Sequence, residues 1–376
     1  MKAVFFCHAF SSCWNNGNAH FLRGVTREIA RLGHEVVVYE PRDGWSRTNA
    51  LQDGGESILL EVATLIPGVT VRGYEGQPDL DEALQGADFV LVHEWNPPGL
   101  IAQIGRCRVA GASFILLFHD THHRAVTAPR ELAEFDLDGF DGVLAFGEVL
   151  REIYVKRGWA RRAFTWHEAA DTELYRPMPE IQKECDVVWI GNWGDDERSR
   201  ELNEFLVRPI AELRLSGRIY GVRYPEAVLQ TIKANGIDYG GWLPNHRVPR
   251  AFAQARATVH VPRGPYARQL PGIPTIRIFE ALACGIPLVS APWSDDEGLF
   301  PGHCYLRVSS GESMKLALQA LLSDPQMAKA ISQEGLQTVQ ARHTCRHRAL
   351  ELVAIVDDLS RSGSRPSMAE PERMVS

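Results

Sequence analysis

A segment in the second half of the chain, Gly272 to Trp293, combines residue types that can bind a nucleotide, and it reads GIPTIRIFEALACGIPLVSAPW. Arg277 and Glu280 stand three residues apart, so a helix would place both on one face. A carboxylate near a helix N-terminus can accept two hydrogen bonds from a ribose diol, while an arginine and the exposed N–H groups attract a diphosphate. The alternative is an ordinary surface Arg–Glu pair, because helical pairs at this spacing are common.

A second set of reactive side chains lies in the segment Phe118–Ala125, which reads FHDTHHRA and follows a strand-like apolar run. We predict active-site roles for His119 and Asp120, since open α/β sheets build their crevices at the carboxyl ends of strands. The alternative is that these residues cap or order the loop. Three histidines within five positions also suggest a metal, but no H-E-x-x-H helix fixes their geometry, so no metal site is predicted.

Two polar loops precede predicted helices and can approach a ligand with their backbone. The first, Cys7–Ala19, lacks the G-x-G-x-x-G pattern, which argues against a dinucleotide cofactor. Gly17 lies in this loop and His20 follows in the first helical turn, where a solvated histidine is the alternative. The second loop, in GNWGDDERSREL, contains Asn192 and Arg198 and brings N–H groups to the carboxyl end of a strand.

Charges around the second loop decide whether it can accept a diphosphate. Asp195, Asp196 and Glu197 would repel a diphosphate if they pointed inward, so we expect them to form a solvated acidic turn. Arg263 and Arg268, in the loop ahead of the Gly272 segment, can supply compensating positive charge.

Alternating strand and helix patterns must position these residues. The apolar runs AVFF, HEVVVYE, DFVLVHEW, SFILLFHD and FDGVLAF are separated by helix or turn signals, and a second series begins at CDVVWIGNW. This alternation predicts an α/β fold of two Rossmann-like parallel-sheet domains, residues 1–178 and 179–342. A polar, proline-bearing linker ends near residue 178. We expect a helix at 343–360 and a disordered tail at 361–376.

Composition and charge exclude several functional classes. The chain has 376 residues, 45% hydrophobic, with a formal net charge of -7, which fits two globular domains and offers no attraction to nucleic acid or anionic lipid. No apolar run approaches the roughly 20 residues that cross a bilayer, and no signal peptide is visible, so we expect a cytoplasmic protein with at most peripheral membrane contact. The seven cysteines include no C-x-x-C pair and indicate neither a disulfide framework nor a zinc site.

The run FEALACGIPLVS resembles the donor-site motif of GT-B glycosyltransferases, in particular the retaining family four and the CgeB-like proteins with a "glycosyl transferases group 1" domain. The segments APWSDDEGLFPGHCYL and DPQMAKAISQEGLQTVQARHTCRHRALELV extend the resemblance over most of residues 180–355. Family-four enzymes carry two glutamates separated by seven residues. The second binds ribose and corresponds to Glu280, whereas the first falls at Gly272. The resemblance implies the GT-B fold, with two domains facing a cleft and a C-terminal helix that crosses back to the first domain.

The resemblance also implies which residues contact the substrates. Catalytic contacts are expected from His119, Asp120 and His20. A nucleoside-diphosphate sugar is the implied co-substrate, with a small-molecule, glycan or lipid-linked acceptor and without cofactor, metal or nucleic acid. The expected donor-binding residues are Glu280, Arg277, Thr275, Ile276, Gly272, Asn192, Arg198, Arg263 and Gly17.

The implied reaction is glycosyl transfer with retention of configuration, by front-side attack in which a donor phosphate oxygen accepts the acceptor's proton. Stabilisation of the departing diphosphate lowers the barrier. Two alternatives stay open. A nucleotide-sugar epimerase of the same fold would convert the donor without an acceptor, and a non-catalytic nucleotide-sugar-binding protein is favoured by the glycine at position 272.

Overall fold

Two parallel β-sheets covered by helices make up the computed structural model, which describes residues 1–194 and 198–362. The acidic turn predicted at 195–197, and residues 363–376 of the predicted tail, lie outside the described residues. The strands are β1 (Lys2–Phe6), β2 (Glu35–Pro41), β3 (Val69–Tyr74), β4 (Phe89–His93), β5 (Ile115–Asp120), β6 (Gly142–Ala145), β7 (Ala163–Thr165), β8 (Cys185–Ile190), β9 (Gly217–Tyr220), β10 (Ile237–Tyr239), β11 (Ala255–His260), β12 (Leu288–Ser290) and β13 (Leu306–Arg307).

The helices alternate with these strands. They are α1 (Ala19–Arg31), α2 (Trp45–Gly54), α3 (Ser57–Ala63), α4 (Leu80–Leu84), α5 (Pro98–Val109), α6 (Arg124–Thr127), α7 (Pro129–Ala133), α8 (Glu148–Lys156), α9 (Ser199–Leu202), α10 (Arg208–Glu212), α11 (Glu226–Ala234), α12 (Val248–Ala253), α13 (Gly264–Arg268), α14 (Ile276–Ala283), α15 (Gly311–Ser323), α16 (Pro325–Arg342) and α17 (Cys345–Arg361). A π-helical turn, Asn203–Val207, joins α9 to α10, and a 3-10 turn, Asn245–Arg247, precedes α12. None of the described helices combines the length and apolar composition needed to cross a bilayer.

The strand order of each sheet reverses once, which creates one switch point per domain. The first sheet has the order β3-β2-β1-β4-β5-β6-β7 and the second β10-β9-β8-β11-β12-β13, with every adjacent pair parallel. Strands β4 and β5 are buried along their whole length because helices cover both faces of a parallel sheet. The prediction of two Rossmann-like α/β domains is confirmed, and the switch points lie beside β1 and β8.

The chain passes between the domains twice. The first passage is residues 166–184, between β7 and β8, and the predicted boundary near 178 falls inside it. The second passage leads to α17, at the place of the helix predicted for 343–360, which packs on α1. Gly24 of α1 fits there because a Cβ at this position would lie 2.5 Å from the sulfur of Cys345. The Trp166 indole N–H donates to the backbone oxygen of Arg348 at 3.0 Å, which ties the two passages together.

Candidate functional site

A cleft lies where the carboxyl ends of the two sheets face each other. Its larger cavity, of about 880 Å³, is lined by the loops that follow β1, β4 and β5 in the first domain and β8 in the second. An adjoining cavity of about 240 Å³ extends toward the second domain. The loops at the two switch points meet across the cleft, since the Asn192 amide donates to the side-chain oxygen of Asn15. Both cavities therefore form one site between the domains.

The N-terminus of α14 opens onto the smaller cavity. Thr275, Ile276 and Arg277 line it, and the first N–H groups of a helix have no partner within the helix. The Thr275 hydroxyl lies 3.0 Å from Nε2 of His260, whose Nδ1 lies 2.8 Å from the Ser290 hydroxyl. Burial lowers the pKa of His260 to about 3, so a neutral ring anchors the start of α14. Gly285, in the left-handed region with φ +64, ends this helix.

The side chain of Glu280, for which a direct contact with ribose was predicted, does not line either cavity. It is fully buried and forms an ion pair with Arg277, as the spacing indicated. Its Oε1 also lies 3.1 Å from Nδ1 of His20, which belongs to the first domain. Burial raises the pKa of Glu280 to about 7, although Arg277 opposes this shift. Residue 280 lies one turn inside α14, so Arg277 and the first domain cover its carboxylate.

Gly272, a predicted donor contact, lines neither cavity, and a tight turn explains why this position is a glycine. Its φ is +88, and a Cβ there would lie 2.9 Å from Cγ of Glu297. Glu297 occupies this space because it accepts from the Glu148 backbone N–H at 2.8 Å and lies 2.7 Å from Nε2 of His167. The first glutamate of the family motif would therefore clash with an acid that contacts the first domain.

Positive side chains gather where the two cavities join. Arg198 and Arg263 line both cavities, and the Arg198 guanidinium also donates to the backbone oxygen of Val261 at 3.2 Å. Asn192 lines both cavities too, but its side-chain oxygen accepts from the Val222 N–H at 2.9 Å. Since its amide bonds to the first domain, Asn192 joins the two walls, whereas the arginines supply the positive charge. Arg223, in the unusual left-handed conformation with φ +62, adds a third arginine to the larger cavity.

Gly17 lies close to the start of α14. A Cβ at Gly17 would lie 3.2 Å from Cγ2 of Ile276, and its backbone oxygen accepts from the Asn245 amide at 3.1 Å. The same oxygen accepts from Nδ1 of His20 at 3.0 Å. His20 is fully buried and lines neither cavity, and burial lowers its pKa to about 3. The structure therefore places His20, a predicted catalytic residue, beside Glu280.

His119 and Asp120, for which active-site roles were predicted, are buried and line neither cavity. His119 packs on Trp166 with ring centroids 4.9 Å apart, and burial lowers its pKa to about 3. Asp120 accepts from the Tyr154 hydroxyl at 2.7 Å and from the His122 N–H at 2.9 Å. Both residues still belong to β5, so the cleft-facing residues begin one position later.

Residues directly after strands line the first-domain wall, and most of them went unnoticed in the sequence. They are His8 after β1, Trp95 and Asn96 after β4, and Thr121, His122 and His123 after β5. The sequence feature that could have identified them is their position, since each polar or aromatic residue lies one to three places beyond an apolar strand.

A buried carboxyl behind the cleft was missed as well. Glu168 is fully buried, and one of its oxygens has no hydrogen-bond partner. Burial raises its pKa well above the usual range, and the carboxyls of Glu280 and Glu94 add to the shift. No group of three or more histidine, cysteine, aspartate or glutamate side chains among the described residues is arranged to hold a metal.

Comparison with known proteins agrees with this architecture. Residues 198–354 match the family model described as "Glycosyl transferase-like". No curated protein matches the chain in sequence. Among solved structures, sucrose-phosphate synthase from Thermosynechococcus elongatus is similar with a TM-score of 0.67 and 14% identity, covering 96% of this chain and 100% of that chain.

Two further structures contain nucleotides. HepE from Anabaena in complex with UDP and glucose has a TM-score of 0.66 and 14% identity, covering 95% of this chain and 99% of that chain. An alpha-glucosyltransferase in complex with UDP and a 13-mer DNA has a TM-score of 0.68 and 12% identity, with the same coverages of 95% and 99%. The chain thus has the GT-B fold, and its second domain carries the glycosyl transferase-like match.

Proposed function

We propose that this GT-B protein is a glycosyltransferase that moves a sugar from a nucleoside-diphosphate sugar to an acceptor held by the first domain. The observation that carries the proposal is the junction of the two cavities, where the N-terminus of α14 with Arg277 faces the same space as Arg198 and Arg263. A helix N-terminus and arginines favour a diphosphate. The family match to the second domain and the nucleotides bound by proteins of the same fold support this choice.

In the proposed reaction the bond between the sugar's anomeric carbon and the diphosphate breaks, and a bond to the acceptor oxygen forms. Arg277 and the α14 N-terminus stabilise the negative charge on the departing diphosphate. We propose retention of configuration, with a diphosphate oxygen taking the acceptor's proton. Of the described residues that line the two cavities, Asp43 is the one carboxylate, and it belongs to the first-domain wall. A protein carboxylate nucleophile is therefore not part of the proposal.

Glu280 and His20 lie beneath the cavity wall that Arg277 forms. The carboxylate pairs with Arg277, and His20 from the first domain lies against the same carboxylate. We propose that Glu280 fixes the direction of the Arg277 guanidinium toward the diphosphate. Because the contact crosses between the domains, their relative position sets the orientation of Arg277.

Isothermal titration with UDP and UDP-glucose tests the donor site directly. We expect Arg277→Ala to weaken UDP binding by about 30-fold, because a charge-assisted hydrogen bond contributes about 2 kcal/mol. Arg277→Lys keeps the charge and should retain part of the affinity. Arg208→Ala, an exposed arginine on α10, is the matched control and should bind like the unaltered protein. Equal UDP affinity in all four proteins would contradict the proposed donor site.

Product analysis separates transfer from the alternatives. Incubation with UDP-glucose alone should give only slow release of free sugar, whereas addition of an acceptor should give a glycosylated product. Conversion of the donor into an isomeric nucleotide sugar would instead identify an epimerase. Binding without release or transfer across a donor and acceptor panel would identify a non-catalytic binding protein.

A further inference from the structure

The first-domain wall of the larger cavity holds an aromatic platform that the donor site does not use. The Trp95 ring is 43% exposed and the Trp45 ring 57%, although large aromatic side chains are usually well buried. Both line the larger cavity. The Arg124 guanidinium covers one side of the Trp95 ring, 4.2 Å from its centroid. The exposed part of Trp95 therefore belongs to its other face and edges.

Trp95 is held in place rather than loosely exposed. The Arg124 guanidinium is also held by Glu94, whose Oε2 lies 3.0 Å away. The His122 ring meets Trp95 edge-on with centroids 5.0 Å apart. A cation above one face and a ring against one edge fix the orientation of the indole. A ring that is fixed in this way presents a flat apolar surface on which the face of a ligand ring can pack.

Buried polar atoms without partners surround this platform. The Asn96 NH₂ group donates to the backbone oxygens of Phe6 at 2.7 Å and His93 at 2.8 Å, so the orientation of this amide is fixed. Its carbonyl oxygen then has no hydrogen-bond partner, although Asn96 is only 3% exposed. Nδ1 of His8 and Nδ1 of His122 are likewise buried without partners. All three residues line the larger cavity.

The first-domain wall of the larger cavity offers no positive charge to a ligand. Burial lowers the pKa of His8 to about 4 and of His122 to about 2, so both rings are uncharged at neutral pH. Among the first-domain residues that line this cavity, all within the described part of the chain, there is no arginine or lysine, and Asp43 is the one carboxylate. A phosphate or carboxylate held against this wall would meet no arginine or lysine of the wall itself, since the arginines that line the cavity belong to the second domain. An apolar ligand would leave the amide and ring atoms buried and unbonded, which is unfavourable.

We propose that the larger cavity binds an uncharged saccharide as the acceptor, with the C–H face of a sugar ring on Trp95 and its hydroxyl groups at Asn96 and His122. Hydroxyl groups donate and accept, so they satisfy both the amide oxygen and a neutral imidazole. This inference rests on the proposed function, because it identifies the class of the acceptor for that transfer. It also explains why the cavity extends well past the junction where the diphosphate binds.

Saturation-transfer NMR and calorimetry with UDP present test the inference. The probes are neutral methyl glycosides and disaccharides, glucose 6-phosphate as the anionic probe and toluene as the apolar aromatic probe. We expect neutral saccharides to bind more tightly than the other two probes. Trp95→Ala should weaken saccharide binding at least tenfold, whereas Trp95→Phe should stay within about threefold, since it keeps an aromatic face. Leu316→Ala, an exposed residue of α15 that does not line the cavity, is the control.

The outcomes separate this inference from the proposed function. If UDP binds but no neutral saccharide does, or if the phosphorylated or aromatic probe binds better, the acceptor class is wrong while the donor site stands. Unchanged saccharide affinity in Trp95→Ala also overturns it. If UDP itself fails to bind in the same calorimetry, the proposed function falls, irrespective of the saccharide result.

Discussion

The two walls of the cleft use the same topological element, a loop after the carboxyl end of a parallel strand, but they carry opposite chemistry. The second-domain side of the larger cavity presents three arginines, Arg198, Arg223 and Arg263. The first-domain side presents tryptophans, an asparagine and the neutral rings of His8 and His122. The fold therefore fixes where ligands meet, and the residues one to three places past each strand decide which ligand each wall accepts. The proposed charged donor fits the second-domain wall, and the proposed neutral acceptor fits the first-domain wall.

The largest expected effect concerns the buried acid of the second-domain wall. The pKa of Glu280 is raised to about 7 from 4.5 by burial, so the folded state holds its proton more tightly than the unfolded state. This contribution to stability is complete below pH 4.5 and declines as the pH rises toward 7. Between pH 4 and pH 9 the free energy of unfolding should lose about 3 kcal/mol that Glu280→Gln does not lose. Urea unfolding at both pH values measures the difference.

Glu312→Gln, an exposed glutamate on α15, is the matched control for removal of one carboxylate. If Glu280→Gln and the unaltered protein lost stability equally over this pH range, Glu280 would not be the group whose ionisation lowers the stability. The contrast between a charged and a neutral wall would then rest on the arginines alone.

A somewhat smaller effect is expected from restoring the missing family glutamate. Gly272→Glu should lower the free energy of unfolding by about 2 to 3 kcal/mol, because a φ of +88 strains an L-residue and the new Cβ would clash with Glu297. Gly302→Glu is the control, since a Cβ at Gly302 meets nothing within 4 Å. Chemical denaturation measures both. A stable Gly272→Glu protein with tighter UDP-glucose binding would show that the second-domain wall does accept a carboxylate at the donor.

The smallest expected effect comes from salt and compares the walls directly. Raising NaCl from 50 to 500 mM should weaken UDP binding by about fivefold, because ions screen the attraction between arginines and a diphosphate. Binding of a neutral saccharide should change by less than about twofold, since its contacts involve no net charge. Calorimetry at the two salt concentrations gives both values. Equal salt dependence for the two ligands would contradict the proposal that one wall binds its ligand through charge and the other does not.

The sequence predicted the sheets and the α14 segment well because these depend on local patterns. Alternating strand and helix signals gave both domains, and the three-residue spacing correctly paired Arg277 with Glu280. Periodicity identifies which residues share a helix face but not what covers that face. His20, which lies against the carboxylate of Glu280, is far away from it in the chain. The burial of Glu280 therefore depends on packing between the domains.

The first-domain site was harder to predict, because it depends on where each strand ends. The apolar run before His119 was correctly recognised as a strand, but β5 continues through Asp120 and keeps both side chains behind the wall. The aromatic platform gathers residues from loops after three different strands. Only the strand order brings these loops together, and no single stretch of sequence contains the pattern.

The double passage of the chain between its domains limits how the cleft can open. Residues 166–184 and the segment leading to α17 lie side by side, bonded through Trp166 and through a backbone bridge between Ala170 and Thr344. Two adjacent tethers resist twisting far more than a single flexible strand would, and they favour rotation about one axis near the tethers. Opening of the cleft for ligand entry and exit would then have to break contacts between the domains, among them the hydrogen bond between Asn15 and Asn192.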